Sequence, residues 1–185
     1  KDHYSGSFDQ TCANLLHEGK GAIIALPHMG SWELAGVAVS RIGISTFVLT
    51  RSQKNPLTDA YMNRMRERGG LDAVDVKSKA FIGAVRRLKK GMTLAILPDI
   101  RAKADAITVD FLGSRAEIPK GMALFAKSAN VPIIPVCLTR EGWTRHRWDA
   151  YDPIWPDSSM VPTYTGRPSR SASASACCRK ASVPA

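Results

Sequence analysis

The run Ala22-Ile-Ile-Ala-Leu26 is apolar throughout and is bounded by Gly21 and Pro27. A strand of that composition has no face to offer solvent, so it must be covered on both sides. Met92-Thr-Leu-Ala-Ile-Leu97 repeats the pattern, as does Val131 to Leu138, where Pro132 and Pro135 interrupt it. Ser45-Thr-Phe-Val-Leu-Thr50 is β-branched and aromatic, another strand. Helical stretches lie between these runs: Leu34 to Arg41 closed by Gly43, Asp59 to Arg68 ending at Gly69-Gly70, and Lys120 to Ser128. Lys79 to Lys90 is amphipathic, with Phe81, Val85 and Leu88 on one face and Gly91 as its stop. Phe8 to His17 reads as a short helix, Leu71 to Val76 as a short strand, and Ile107 to Phe111 as a hairpin or edge strand. Buried strands alternating with helices predict an α/β fold, a largely parallel sheet flanked by helices.

The 185 residues divide into a core over 1–157 and a tail over 158–185. The tail has no apolar periodicity, and Ser171-Ala-Ser-Ala-Ser-Ala176 is low in complexity, so disorder is expected there. A net charge of +10 points to an anionic partner. Four of the 26 Lys and Arg residues fall after Met160 with no acid among them, which leaves the body at 22 against 16. Cys12, Cys137, Cys177 and Cys178 match no zinc spacing, so neither a metal nor a disulfide framework is expected. No apolar run approaches the roughly 20 residues that span a bilayer. Any membrane anchor is expected outside this sequence.

His28 follows the first buried strand at its C-terminal end, where open α/β sheets place ligands. Pro27 and Gly30 make the segment a turn, Ser31 suits the N-cap of the next helix, and Glu33 falls in that helix's first turn. A loop leading into a helix lets His28 curl back within reach of Glu33. A carboxylate on one ring nitrogen fixes the tautomer and leaves the other nitrogen to take a proton from a hydroxyl. Spacing alone favours the plainer reading, a histidine satisfied in a turn and a glutamate serving the helix dipole. His3, His17 and His146 have no comparable setting and read as surface or structural.

Other segments decide between these readings. His28-Met-Gly-Ser-Trp-Glu33 resembles the H-x4-D/E motif of glycerolipid-type acyltransferases. It is closer to the form found in the lipid A biosynthesis (lauroyl/myristoyl) acyltransferase family, with its phosphatidylinositol mannoside acyltransferase and lysophospholipid acyltransferase-like relatives. Asn55-Pro-Leu-Thr-Asp59 with Asn63-Arg-Met-Arg66 resembles that family's N-P-L-x-D stretch and downstream arginine. Leu97-Pro98-Asp99 with Val109-Asp-Phe-Leu-Gly113 resembles its P-D and F-x-G block, and Val131-Pro-Ile-Ile-Pro-Val136 its V-P-I-I-P-V block. The resemblance covers roughly residues 8–156.

It implies a glycerolipid-acyltransferase-like fold and transfer of a fatty acyl group from a thioester to a glycolipid or lysolipid hydroxyl. His28 is then the general base and Glu33 its orienting carboxylate. Acyl carrier protein or coenzyme A supplies the acyl group, and no cofactor is implied beyond that co-substrate. The implied setting is an anionic membrane surface, the cytoplasmic face of a bacterial inner membrane. Arg66 and Arg64 are candidates for acceptor phosphate or the oxyanion, because guanidinium forks suit both. Asp99 is a candidate for positioning the acceptor, and Arg51 directly follows a strand and is a candidate to face the site.

Two patches stay open. Arg86-Arg87-Leu-Lys-Lys90 suits either a helix C-terminal dipole or docking to anionic lipid or an acidic carrier protein. Trp143, Trp148, Trp155 and Tyr151, interleaved with Arg140, Arg145 and Arg147, suit either a membrane interface or packing under a loop. A thioesterase using the same pair is the nearest rival, but no G-x-S-x-G elbow exists. A basic nucleic-acid-binding module finds no recognised motif, and nucleic acid is not an expected partner.

Overall fold

The apolar runs become the middle of one sheet. The computed structural model describes residues 4–6, 14–15, 19–76, 80–102 and 106–157. Most of the expected Phe8 to His17 helix and the whole tail from Ser158 lie outside the described residues. In chain order the elements are β1 (Tyr4–Gly6), β2 (Ala22–Ala25), α1 (Trp32–Arg41), β3 (Thr46–Thr50), α2 (Pro56–Arg68) and β4 (Asp72–Asp75). They continue with α3 (Ala80–Lys89), β5 (Thr93–Ile96), β6 (Ala106–Phe111), β7 (Ser114–Pro119), α4 (Gly121–Ala129), β8 (Ile133–Arg140) and β9 (His146–Ala150). The sheet order is β1-β9-β8-β2-β5-β3-β4, and the five strands from β8 to β4 run parallel. β9 returns antiparallel to β8, β1 lies parallel to β9, and β6 with β7 forms a separate antiparallel hairpin.

Strand alternation sends side chains to two cores. Ile24, Leu26, Ile134, Val136 and Leu138 pack with Ala35 and Val39 of α1 on one face. Ile23, Leu94, Phe47 and Ile133 pack with Ala84 and Leu88 of α3 and Phe125 and Ala126 of α4 on the other. The central strands are covered on both sides, as their composition requires.

Local signals set most of the ends. Asn55 caps α2, its side chain accepting from the Leu57 N–H at 2.9 Å, and Pro56 occupies the first turn, where its missing N–H costs nothing. Asn130 ends α4 in the left-handed conformation. Ser31 departs from expectation: it precedes α1, but its side chain makes no capping bond. The first-turn N–H groups of α1 therefore keep no side-chain acceptor from Ser31. The strand read as Val131 to Leu138 runs from Ile133 to Arg140, because β9 pairs with its far end through Arg140↔His146.

Gly21 shows how tightly α3 is seated against the entry to β2. A Cβ there would lie 2.2 Å from the Leu88 carbonyl oxygen and 2.8 Å from that of Met92, both backbone atoms that cannot swing aside. Gly21→Ala is expected to destabilise the fold by about 2 kcal/mol or more. An unchanged urea midpoint for that variant would contradict this packing.

Candidate active site

The site follows from strand register. β2 and β5 pair from Ala22↔Thr93 to Ala25↔Ile96, and the Leu26 N–H still donates to the Ile96 carbonyl at 3.1 Å. Both chains leave the sheet at the same level, so the residues three positions beyond, His28 and Asp99, meet with the same offset of 71. The Asp99 carboxylate grips His28 twice. The His28 backbone N–H donates to Oδ2 at 2.7 Å, and ring Nδ1 lies 2.7 Å from Oδ1. The Trp32 ring meets the imidazole edge-on, with centroids 5.4 Å apart. Gly30 closes the turn at φ +60°, where a Cβ would come within 2.9 Å of the Leu138 carbonyl oxygen.

Burial pushes the Asp99 carboxyl up, but the two hydrogen bonds from His28 outweigh it and hold the group below its ordinary range. An ionised carboxylate accepts, so Nδ1 is the donor to Asp99, and in the neutral ring that tautomer places the lone pair on Nε2. The side chains of His28 and Asp99 keep 42% and 38% of their surface exposed, which leaves the imidazole open to a reactant.

Glu33, expected beside His28, is committed elsewhere. Its carboxylate takes a fork from Arg66: Nε lies 3.2 Å from Oε2, and Nη2 bonds Oε1. The reason is the Arg66 side chain, only 14% exposed, which requires a carboxylate when it leaves water, and Glu33 gives it both oxygens. The carboxylate bonded to the ring is that of Asp99, which the sequence placed on the acceptor instead.

The Glu33–Arg66 pair is the head of a longer chain of contacts. Arg66 Nη1 donates to Asn63 at 3.4 Å, Asn63 Nδ2 donates to Asp59 at 3.2 Å, and Asp59 Oδ1 accepts from the Gln53 N–H at 2.8 Å. The N-P-L-x-D stretch thus holds the loop after β3 against α2, and α2 against α1. Asn63, Asp59 and Trp32 were not singled out from the sequence as site residues, although the motif pointed at the first two. Double-mutant analysis with Glu33→Ala and Arg66→Ala is expected to give a coupling energy of about 1 kcal/mol in urea denaturation, reduced by the partial exposure of Glu33. Strictly additive losses would show that the fork contributes nothing.

The remaining candidates are placed differently. Arg64, two residues before Arg66 and so roughly 200° around the helix, is exposed on the outer side of α2. Arg51 is exposed just beyond β3, on the same sheet edge as His28. The basic run Arg86 to Lys90 lies at the opposite edge, where α3 turns into β5, and Arg87 is paired with Asp72 at 3.3 Å. The aromatic patch divides: Trp148 is buried in the core, while Trp143 is 91% exposed in the turn between β8 and β9. No helix among the described residues is long and apolar enough to cross a membrane.

The profile of the bacterial lipid A biosynthesis acyltransferases matches residues 10–154, which takes in His28, Glu33, Arg66 and Asp99. The chain belongs to that family. Within the lipid A acyltransferase family it is similar to a phosphatidylinositol mannoside acyltransferase of Mycobacterium tuberculosis (strain CDC 1551 / Oshkosh), 28% identical over 145 residues, 76% of this chain and 45% of that protein. It is also 28% identical over 131 residues to a phosphatidylinositol mannoside acyltransferase of Mycolicibacterium smegmatis, 69% of this chain and 43% of that protein. The chain thus spans less than half the length of the curated relatives it matches.

Proposed function

We propose that this lipid A acyltransferase-family chain transfers a fatty acyl group from a thioester to a hydroxyl of a glycolipid. The observation that carries the reading is the grip of Asp99 on Nδ1 of His28, which leaves Nε2 as a base open to solvent. Nε2 takes the proton of the acceptor hydroxyl as its oxygen attacks the thioester carbonyl, and Asp99 stabilises the imidazolium that forms. The tetrahedral oxyanion collapses and expels a thiolate, a good leaving group because thiols ionise near pH 8.5. The uncapped first-turn N–H groups of α1, next to His28, are the oxyanion donors. Arg66, fixed by Glu33 and Asn63, holds α1 and α2 around them.

The donor is acyl carrier protein or coenzyme A thioester, the acceptor an anionic glycolipid of the lipid A or phosphatidylinositol mannoside kind, and the setting the cytoplasmic face of a bacterial inner membrane. The names of the family and its relatives support the reaction class and the lipid acceptor. The test supplies labelled acyl thioesters of both carriers with these acceptors and separates lipid ester from free fatty acid. Acylated lipid supports the proposal; free acid alone, with acceptor untouched, identifies a thioesterase instead.

A further inference from the structure

Three large hydrophobic side chains stand out in exposure among the described residues: Trp143 at 91%, Leu57 at 80% and Leu112 at 79%. They come from three separate segments, yet all three segments leave the sheet at one edge. β2, β3, β5 and β8 are parallel, so their C-terminal ends lie together. Leu57 opens α2 just after β3, Trp143 tips the turn after β8, and Leu112 tips the hairpin between β5 and α4. His28 and Asp99 lie at that same edge.

Leu112 is the more telling for its backbone. It and Gly113 are the two turn residues of the β6–β7 hairpin, both at positive φ, 49° and 78°. Asn or Asp suits the first of these positions, and a leucine there is unfavourable in the left-handed region as well as in its exposure. A turn shaped only for folding has no use for it.

The charges agree. The edge segments carry exposed Arg51, Lys54, Arg101, Arg115, Arg140 and Arg145. Against them stand exposed Asp110, Glu117 and Glu141, Asp99 being committed to His28. Single apolar tips on separate loops, each with a cation nearby, suit a fluid interface better than the continuous groove that a partner helix needs. An exposed tryptophan is at home there as well.

We infer that this edge docks on the surface of an anionic bilayer, Leu57, Leu112 and Trp143 entering the interface while the surrounding arginines and lysine meet the headgroups. The inference deepens the proposed acyl transfer, since it turns His28 toward the layer in which a lipid hydroxyl resides. Its test needs no turnover. The chain is co-sedimented with phosphatidylcholine vesicles and with vesicles containing phosphatidylglycerol as well. Stronger binding to the anionic vesicles is expected, weakened at least about tenfold in the combined variant Leu57→Gln, Leu112→Asn, Trp143→Ser. Leu112→Asn alone gives the turn its preferred residue, so weakened binding with an unchanged or raised melting temperature separates docking from folding. His28→Ala is expected to bind vesicles as the parent does, which keeps the docking result independent of the chemistry. Equal binding by the parent and the combined variant overturns the inference. Failure of the parent to bind, with capture of an acidic carrier protein through the same three residues, also overturns it.

Discussion

His28→Ala is expected to lower kcat for acyl transfer by about 10²–10⁴-fold, the usual contribution of a positioned general base. The size follows from the task. An alcohol is a weak nucleophile near neutral pH, and among the described residues only His28 sets an imidazole against a carboxylate at this strand end. KM is expected to change little, because the imidazole works on the reacting hydroxyl rather than on the bulk of either substrate. The fold is expected to survive, since the ring is well exposed and belongs to neither core. Wild-type transfer by His28→Ala would remove the base from the mechanism.

Asp99→Asn is expected to cost a comparable factor, about 10²–10⁴-fold in kcat, for a reason specific to protons. An amide is almost the size of a carboxylate and its oxygen still accepts from the His28 backbone N–H. Its NH2 then faces the ring, so Nδ1 must accept, and the proton moves to Nε2, the nitrogen that has to be bare. Geometry is kept while the base is lost. The same variant carries a stability signature. With the Asp99 carboxyl held below its ordinary range, its contact with His28 contributes fully above about pH 4 and is lost as pH falls through the lower folded value. Asparagine does not titrate, so this part of the acid limb should vanish from urea midpoints followed from neutral to acid pH. An acid limb identical in both proteins would contradict the pairing.

Much of this was readable from residues in order. The two-faced strands Ala22 to Leu26 and Met92 to Leu97 declared a buried parallel sheet, because a continuous apolar run admits no other arrangement. Gly91 marked a helix end through backbone chemistry that acts within a few residues, whereas the helix read from Asp59 begins three residues earlier, at Pro56 behind its Asn55 cap. The partner of His28 was not readable in this way. It depends on β2 and β5 being neighbours in register, a fact about strands some 70 residues apart. Proximity in sequence therefore favoured Glu33, and only the pairing of strands brings Asp99 to the ring.

β9 was missed for a related reason. His146-Arg-Trp-Asp-Ala150 does alternate, with His146 and Trp148 buried and Arg147 exposed, but its charges and aromatics read equally well as a surface patch. Such polar strands are legible once the edge they pair with is known. The Arg66 fork is an intermediate case: the motif flagged the arginine, but its partner on α1 emerged from helix packing.

The central claim is that Asp99 acts through His28, and a kinetic double-mutant cycle tests it most directly. kcat/KM is measured for the parent, His28→Ala, Asp99→Asn and the double variant with one thioester donor and one lipid acceptor. If the carboxylate serves only to hold and charge the imidazole, the double variant is no slower than His28→Ala alone, the two losses collapsing into one. If the losses multiply, Asp99 works independently of the histidine, and the His28–Asp99 dyad is not the base.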